Sequence, residues 1–364
     1  MANATLETLR DELQEINLGL LDLLNRRARI VTEVQAIKSR DGIPTYVPER
    51  EQAMLEGLVA ANRGPFPDET VRQLFKEIFK ASVRLMEAEK RQVLRVSRAS
   101  GEADLLVRVG GELVGGEPVI VAGPCSVEDE GQMDAVGRKL RELGVGLMRG
   151  GAFKPRSSPY AFQGLGRRGL EILRDTARRY GLATVTEVMD TRAVELVAEH
   201  ADVLQIGSRN MYNYDLLREV GKAGKPVLLK RGLSATIEEF LWAAEYVVLH
   251  GNKQVILCER GVRTFETQTR NTLDLSAVAL LRRQSYLPIL VDVSHAAGRK
   301  DILAPLARAA LAAGAHGVMV EVHPCPAVAR SDSQQQLDFR EFESFLEEAG
   351  LARTPARLRA AGEA

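Results

Sequence analysis

Four residues of this 364-residue chain could share a metal ion: Cys125, His295, Glu321 and Asp332. One thiolate, one imidazole and two carboxylates make a mixed soft and hard donor set, which suits a divalent first-row transition metal better than magnesium or calcium. A second group is basic and comprises Arg149, Lys154, Arg156, Lys230 and Arg260. Cations gathered in one place repel one another unless anions fill the space between them, so phosphate or carboxylate substrates are implied. Lys154 and Arg156 lie in GAFKPRSSPY, where glycine and proline shape a loop, Arg156 can fork onto a phosphate and Ser157 can donate a hydrogen bond. Taken singly, each has an ordinary reading: a buried thiol, a hydrogen-bonded histidine, a solvated acid, or a cation paired with Glu187, Glu259 or Asp292.

A regular succession of short apolar runs could bring these residues together. The runs fall at 119–124, 145–149, 182–188, 203–207, 226–230, 254–258, 288–293 and 316–322, mostly separated by helix-compatible segments. Eight strands with intervening helices predict an α/β fold, a (β/α)8 TIM barrel, whose catalytic groups sit at the carboxyl ends of the strands. The polar residues that end the runs are Cys125, Arg149 with Lys154, Glu187, Gln205, Lys230, Glu259 with Arg260, Asp292 with His295, and Glu321 with His323. In a closed barrel the first and eighth strands are neighbours, so the four candidate ligands can converge across a long stretch of sequence.

Ahead of the barrel lies a different rhythm. Leu6, Leu9, Leu13, Ile16, Leu20, Leu24, Val31, Val34 and Ile37 recur at the three-and-four spacing of a long amphipathic helix. At 1.5 Å per residue that helix is roughly 50 Å long, more than a small domain can cover, so it should pair with a second copy. Two further helices are predicted near 48–62 and 68–92, separated by Asn62-Arg63-Gly64-Pro65. The expected plan is an all-α three-helix domain over 1–92, a linker with a small hairpin-like cap over 93–117, the barrel over 118–350 and a tail over 351–364. Arg27 and Lys38 are eleven residues apart, almost three turns, and share a helix face. Arg10 lies on a different face, about 25 Å away along the axis, and can join them only from a partner helix. Arg50 and Glu51 on the second helix could complete an anion pocket, against the more ordinary reading of solvated charges on a long helix.

Composition narrows the function further. Lys and Arg number 49 and Asp and Glu number 49, so the chain has no overall basic field for nucleic acid. No stretch reaches the roughly 18 apolar residues of a membrane span and the start is not a signal peptide, so a soluble cytoplasmic protein is expected. Three cysteines, Cys125, Cys258 and Cys325, are too few for a disulfide framework. Cys125 and Cys325 follow neighbouring strands, and an oxidised pair between them is an expectation that requires their Cα atoms within about 7 Å.

The motifs AGPCS (122–126), RGGAFKPRSSPY (149–160), LQIGSRNMYNYDLL (204–217), LLKRG (228–232), CERG (258–261), VDVSHAAG (291–298) and VEVHP (320–324) closely resemble the 3-deoxy-D-arabino-heptulosonate 7-phosphate (DAHP) synthase family, over roughly residues 105–350. The resemblance implies condensation of phosphoenolpyruvate with D-erythrose 4-phosphate, the first step of the shikimate pathway in aromatic amino acid biosynthesis. It implies Cys125, His295, Glu321 and Asp332 as ligands of a divalent metal, Mn²⁺ first, with Co²⁺, Fe²⁺, Zn²⁺ or Cd²⁺ as alternatives. Arg149, Lys154, Lys230 and Arg260 would then form the phosphoenolpyruvate site, and Arg156 with Ser157 the aldose phosphate site. Lys154 is the candidate for proton transfer, beside Cys125 and His295 at the catalytic centre. Threonine is more usual at Ser157, the loop SDSQQQL departs from the common pattern at Ser333, and asparagine is usual at Cys325.

LRDELQEIN, LLNRRARIVTEVQAIK and PEREQAML resemble the helical class of chorismate mutase over residues 5–90. The resemblance matches Arg10, Arg27, Lys38, Arg50 and Glu51 to substrate-binding positions. Val47 replaces a frequent aspartate and Met86 replaces a glutamine that reaches the ether oxygen of chorismate. A feedback site for chorismate or prephenate with weak mutase activity follows, in a homo-oligomer built from dimers of the helical domain into a tetramer. Two rivals are weighed against this reading. One is the related synthase that uses arabinose 5-phosphate, whose loop usually reads Lys-Ala-Asn-Arg, where this chain has Lys154-Pro155-Arg156. The other is a regulatory binding protein with an inactive barrel, against which the intact ligand and basic sets argue.

Overall fold

The structure, a computed structural model, describes residues 5–40, 43, 47–89, 94–154, 158 and 160–353. The chain divides between Val93 and Leu94. The first unit holds three helices, α1 (Leu6–Arg40), α2 (Pro48–Ala60) and α3 (Asp68–Glu89). Pro48 opens α2, where its missing N–H costs nothing. Asn62 fastens the α2–α3 connection by donating to the Phe66 carbonyl and to Asp68, each at 2.9 Å. Among the described residues of this unit, the buried apolar side chains are Leu55, Phe79 and Met86, while Leu6, Leu9, Leu13, Ile16, Leu20 and Leu24 are exposed along α1.

The second unit opens with a hairpin of β1 (Val107–Val109) and β2 (Glu112–Val114), antiparallel with Val109 opposite Glu112. Gly110 begins its two-residue turn with φ 57°, the left-handed value such a turn asks of its first residue. Eight parallel strands follow: β3 (Val119–Gly123), β4 (Leu147–Arg149), β5 (Ala183–Glu187), β6 (Val203–Ile206), β7 (Val227–Lys230), β8 (Val255–Glu259), β9 (Ile289–Asp292) and β10 (Gly317–Glu321). Seven lie within a predicted apolar run, and β8 passes the end of its run by one residue, Glu259. They close into a barrel in chain order, with β10 paired to β3. Around it run α4 (Glu130–Glu142), α5 (Arg167–Tyr180), α6 (Val194–His200), α7 (Tyr214–Lys222), α8 (Ile237–Leu249), α9 (Leu275–Gln284), α11 (Leu303–Ala312) and α12 (Phe339–Glu348), with the short α10 (Val293–Ala297) directly after β9.

Two apolar layers hold this unit together. One lies between strands and helices and includes Leu170, Leu173, Leu204, Ile206, Phe240 and Phe342. The other fills the barrel, where Val121, Leu147, Val185, Val203, Leu228, Ile256, Leu290 and Met319 pack with Val107, Val109 and Val114 of the hairpin. The hairpin thus plugs the amino-terminal end of the strands, leaving the carboxyl ends as the open mouth. Parallel register sets those ends level: Glu187 lies opposite Gln205, Lys230 opposite Cys258, and Glu321 opposite Gly123.

Gly123 shows how little room the mouth leaves. Its φ is 143°, and a Cβ there would collide with the Arg149 carbonyl oxygen. Neither the backbone conformation nor the space accepts a side chain, so Gly123→Ala should destabilise the barrel by about 2 kcal/mol or more. A fall of several degrees in the thermal midpoint is expected, and an unchanged midpoint would contradict the geometry.

Candidate active site

Cys125 follows β3 on a buried turn whose N–H donates to Gln336 Oε1 at 3.0 Å. Its Sγ lies 2.9 Å from Ser331 Oγ, 3.0 Å from Lys154 Nζ and 3.2 Å from Asp332 Oδ2. His295 sits on α10, which Asp292 caps by accepting the His295 N–H at 2.9 Å. The imidazole Nδ1 lies 2.8 Å from Asp292 Oδ2. Its Nε2 is turned the other way, 3.6 Å from Glu321 Oε1 and 3.8 Å from Asp332 Oδ2. Glu321 is fixed at both oxygens, accepting from Arg149 at 2.8 Å and from Gln335 Nε2 at 2.6 Å. Asp332 takes φ 47°, the one described non-glycine residue with positive φ. Strain of this kind gathers at sites where the surroundings dictate one orientation, and aspartate tolerates it better than most residues.

One donor atom from each of Cys125, His295, Glu321 and Asp332 lies within 4.8 Å of the others. Bonds of about 2.0–2.3 Å around one ion put neighbouring donors roughly 3.3–3.8 Å apart, so these residues fit a resident divalent metal with little movement. Protonation agrees with this use. Burial pushes the Cys125 thiol up to about 12, with Glu321 adding to the rise and Lys154 opposing it, and a bound cation would release that proton. Burial also lowers His295, which keeps its imidazole neutral and able to ligate. For Glu321 and Asp332, burial acts upward but is outweighed. Interaction with His295 and Arg149 brings Glu321 below its ordinary range, and interaction with Arg270 and His295 brings Asp332 to about 2.

Beside the donors is a cavity of about 200 Å³ lined by Arg149, Lys154, Glu187, Gln205, Ser208, Arg209, Lys230, Arg260, Arg263, Arg270 and Asn271, with His295 and Asp332 at its edge. The ion pairs with Glu187, Glu259 or Asp292 that each cation could have made are realised for Lys230, which bonds Asp292. Arg149 instead takes Glu321, and Glu259 is bound at 2.8 Å by Arg231, which also holds Asp274 at 2.9 Å. That triad steadies the turn carrying Arg260, because Glu259 Oε1 accepts the Gly261 N–H at 2.6 Å. The Arg260 guanidinium has a long contact, 3.4 Å to the Gly261 carbonyl, and burial lowers its proton affinity. An anion in the cavity would relieve that cost. Glu187 is half-buried beside Lys154, Lys230 and Arg149, and desolvation raises its pKa above the usual carboxylate range. A Cβ at Gly207 would push the Glu187 carboxylate out of its present place.

The structure thus brings Cys125, Arg149, Lys154, Lys230, Arg260, His295, Glu321 and Asp332 to one mouth. Arg156 and Ser157 lie outside the described residues. Gln335 and Arg270 were not legible as site residues. Gln335 follows Asp332 by three positions in the loop SDSQQQL, a usable hint, whereas Arg270 lies far from any strand end and carries no local signal. Cys125 and Cys325 are free thiols, the first buried and the second exposed.

The helical unit holds a second cavity, of about 170 Å³. Arg27, Lys38, Arg50 and Glu51 line it together with Val31, Val34, Val47, Met54, Phe79, Ser82, Val83 and Met86. Arg27 donates to Ser82 and lies 5.1 Å from the centre of the Phe79 ring, and burial lowers its pKa. Arg10 is exposed on α1 and is not among the lining residues.

Comparison with known proteins matches each unit to a family. The DAHP synthetase I family pattern matches residues 103–353, and the chorismate mutase type II pattern matches residues 9–87. The phospho-2-dehydro-3-deoxyheptonate aldolase of Thermotoga maritima is 54% identical over 70% of this chain and 75% of its own. Its crystal structure superposes with a TM-score of 0.69 at 52% identity, covering 71% of this chain and 76% of that one. The 2-dehydro-3-deoxyphosphooctonate aldolase of Syntrophotalea carbinolica is more distant, 33% identical over 64% of this chain and 90% of its own. With four donors and a basic cavity at the mouth of a barrel that these relatives share, the chain belongs to the DAHP synthetase I family and carries a chorismate mutase type II domain at its N-terminal end.

Proposed function

We propose that the barrel condenses phosphoenolpyruvate with D-erythrose 4-phosphate to DAHP and inorganic phosphate, and that the helical domain is a feedback site for chorismate or prephenate. The observation that carries the first part is the meeting of Cys125, His295, Glu321 and Asp332 with Arg149, Lys154, Lys230 and Arg260 at one mouth. A metal held by the four donors, Mn²⁺ in this reading, would polarise the aldehyde oxygen and stabilise the charge that develops there. The cations hold phosphate and carboxylate so that C3 of phosphoenolpyruvate faces the aldehyde carbon. C3 attacks that carbon, water adds at C2, and phosphate leaves from the resulting hemiketal phosphate. Lys154, 3.0 Å from Cys125 Sγ, stands near the reacting centre and moves a proton there. Glu187 has the raised proton affinity that a base for the added water needs. Arg156 and Ser157 hold the aldose phosphate.

In the helical domain, Arg27, Lys38 and Arg50 supply cations for two carboxylates, while Val47 and Met86 present apolar groups. Such a site binds better than it catalyses, because the rearrangement needs a donor on the breaking ether bond. A second copy docked on the leucine face of α1 would cover it and bring a second Arg10 to the pocket, making a dimer and, with the barrels, a tetramer. Among the described residues no helix is long and apolar enough to cross a membrane, and a cytoplasmic location is proposed.

Three outcomes test this reading. Chelation should abolish phosphate release and Mn²⁺ should restore it; full turnover in protein shown to be metal-free by elemental analysis would overturn the metal assignment. Erythrose 4-phosphate should be preferred over arabinose 5-phosphate by on the order of 100-fold in kcat/KM, and the reverse preference would assign the chain to the other synthase. Prephenate or chorismate should inhibit the intact enzyme, Arg27→Ala should relieve that inhibition at unchanged uninhibited turnover, and Met86→Gln should raise mutase activity by roughly 100-fold. Inhibition that survives Arg27→Ala would remove the feedback role from this pocket.

A further inference from the structure

We infer that Asp292 is a positioning residue shared by two binding sites, one carboxylate orienting both the metal ligand His295 and the phosphoenolpyruvate-binding Lys230. The inference rests on the roles proposed above for those two residues. Asp292 ends β9 with no solvent exposure. Its Oδ1 accepts the His295 backbone N–H at 2.9 Å and so caps α10. Its Oδ2 meets two side chains at once, His295 Nδ1 at 2.8 Å and Lys230 Nζ. Lys230 stands at the end of β7, two strands away, with Cys258 of β8 between.

Each contact sets something different. Accepting from Nδ1–H fixes the tautomer whose bare Nε2 faces Glu321 and Asp332, the form a metal can use. Binding the ammonium draws Lys230 to the cavity wall and fixes its direction. Ion and phosphate therefore meet side chains aligned by the same oxygen, although neither touches Asp292.

Asparagine separates these duties. In Asp292→Asn the remaining oxygen can still cap α10, since asparagine is as good a cap as aspartate. The new NH₂ can accept from neither Nδ1–H nor the ammonium. The sign of one effect then tells positioning from electrostatics. Deleting a negative charge beside Lys230 would, by charge alone, tighten phosphoenolpyruvate; loss of orientation weakens it.

The test uses the full-length chain stripped of metal. Co²⁺ affinity is read from its thiolate absorption band against a competing chelator, and phosphoenolpyruvate affinity by calorimetry without aldose, with and without Co²⁺. Asp292→Asn should weaken Co²⁺ by about 10- to 100-fold. It should also weaken phosphoenolpyruvate several-fold in both conditions, with the thermal midpoint within a few degrees of wild type. In a Lys230→Ala background it should have no further effect on phosphoenolpyruvate. Asp292→Ser, which also keeps a cap, should behave alike. Unchanged Co²⁺ affinity, or unchanged or tighter phosphoenolpyruvate binding, overturns the inference. So does loss of fold in both variants, which would make the carboxylate a structural requirement. Failure of the underlying roles looks different: His295→Ala would bind Co²⁺ normally, or Lys230→Ala would bind phosphoenolpyruvate normally.

Discussion

Everything at the active site depends on one strand pairing, β10 against β3. It is the pairing with the greatest separation in sequence, joining Gly317–Glu321 to Val119–Gly123 in parallel register. It brings Glu321 beside the turn that carries Cys125, nearly two hundred residues earlier. The segment after β10 then loops round to pair in parallel beside its end: His323 donates its N–H to the Leu337 carbonyl, and Leu337 donates to the Glu321 carbonyl, both at 2.9 Å. Between those two points the loop must turn sharply, and Asp332 takes its positive φ there. Barrel closure, the returning loop and a strained aspartate thus act in sequence to place three of the four donors.

The mouth is also a problem in charge. Arg149, Lys230, Asp292 and Glu321 are all buried, and each would be costly alone. Their solution is mutual. Arg149 holds Glu321, Lys230 holds Asp292, and Asp292 also holds His295. The same pairs that make the fold tolerable keep Glu321 ionised and the His295 imidazole aimed. Arg260 and Glu187 are less completely satisfied, and their protonation equilibria are shifted by burial in the direction of neutrality. Groups left in that condition line the space where a charged substrate would complete the balance.

Much of this was legible in the sequence because barrel geometry ties chemistry to strand ends. Eight apolar runs gave eight strands, and the polar residues closing them gave most of the cavity wall. What was not legible came from loops. Gln335 and Arg270 act through partners, Glu321 and Asp332, that no local pattern connects to them. The partner of Arg149 was hidden for a related reason. The acids weighed as partners for the basic set were Glu187, Glu259 and Asp292, yet Arg149 reaches Glu321, two strands away across the closing seam. Sequence spacing ranks partners along the chain, whereas a closed barrel ranks them around a circle.

The helical unit follows a different constraint, the supply of apolar surface. Its described residues bury Leu55, Phe79 and Met86, while α1 exposes a row of leucines and isoleucines longer than α2 and α3 can cover. Burying one such side chain contributes about 1.5–3 kcal/mol, so leaving the row in water forgoes most of what could hold a three-helix unit together. The ligand pocket sits where the unit is most nearly complete, with Arg27 braced by Ser82 and Phe79. Arg10 lies on the part of α1 that is exposed. A diacid bridging Arg27 and a second copy's Arg10 would therefore add its binding energy to an association that the apolar row already favours. By linkage, whatever strengthens that association strengthens ligand binding equally.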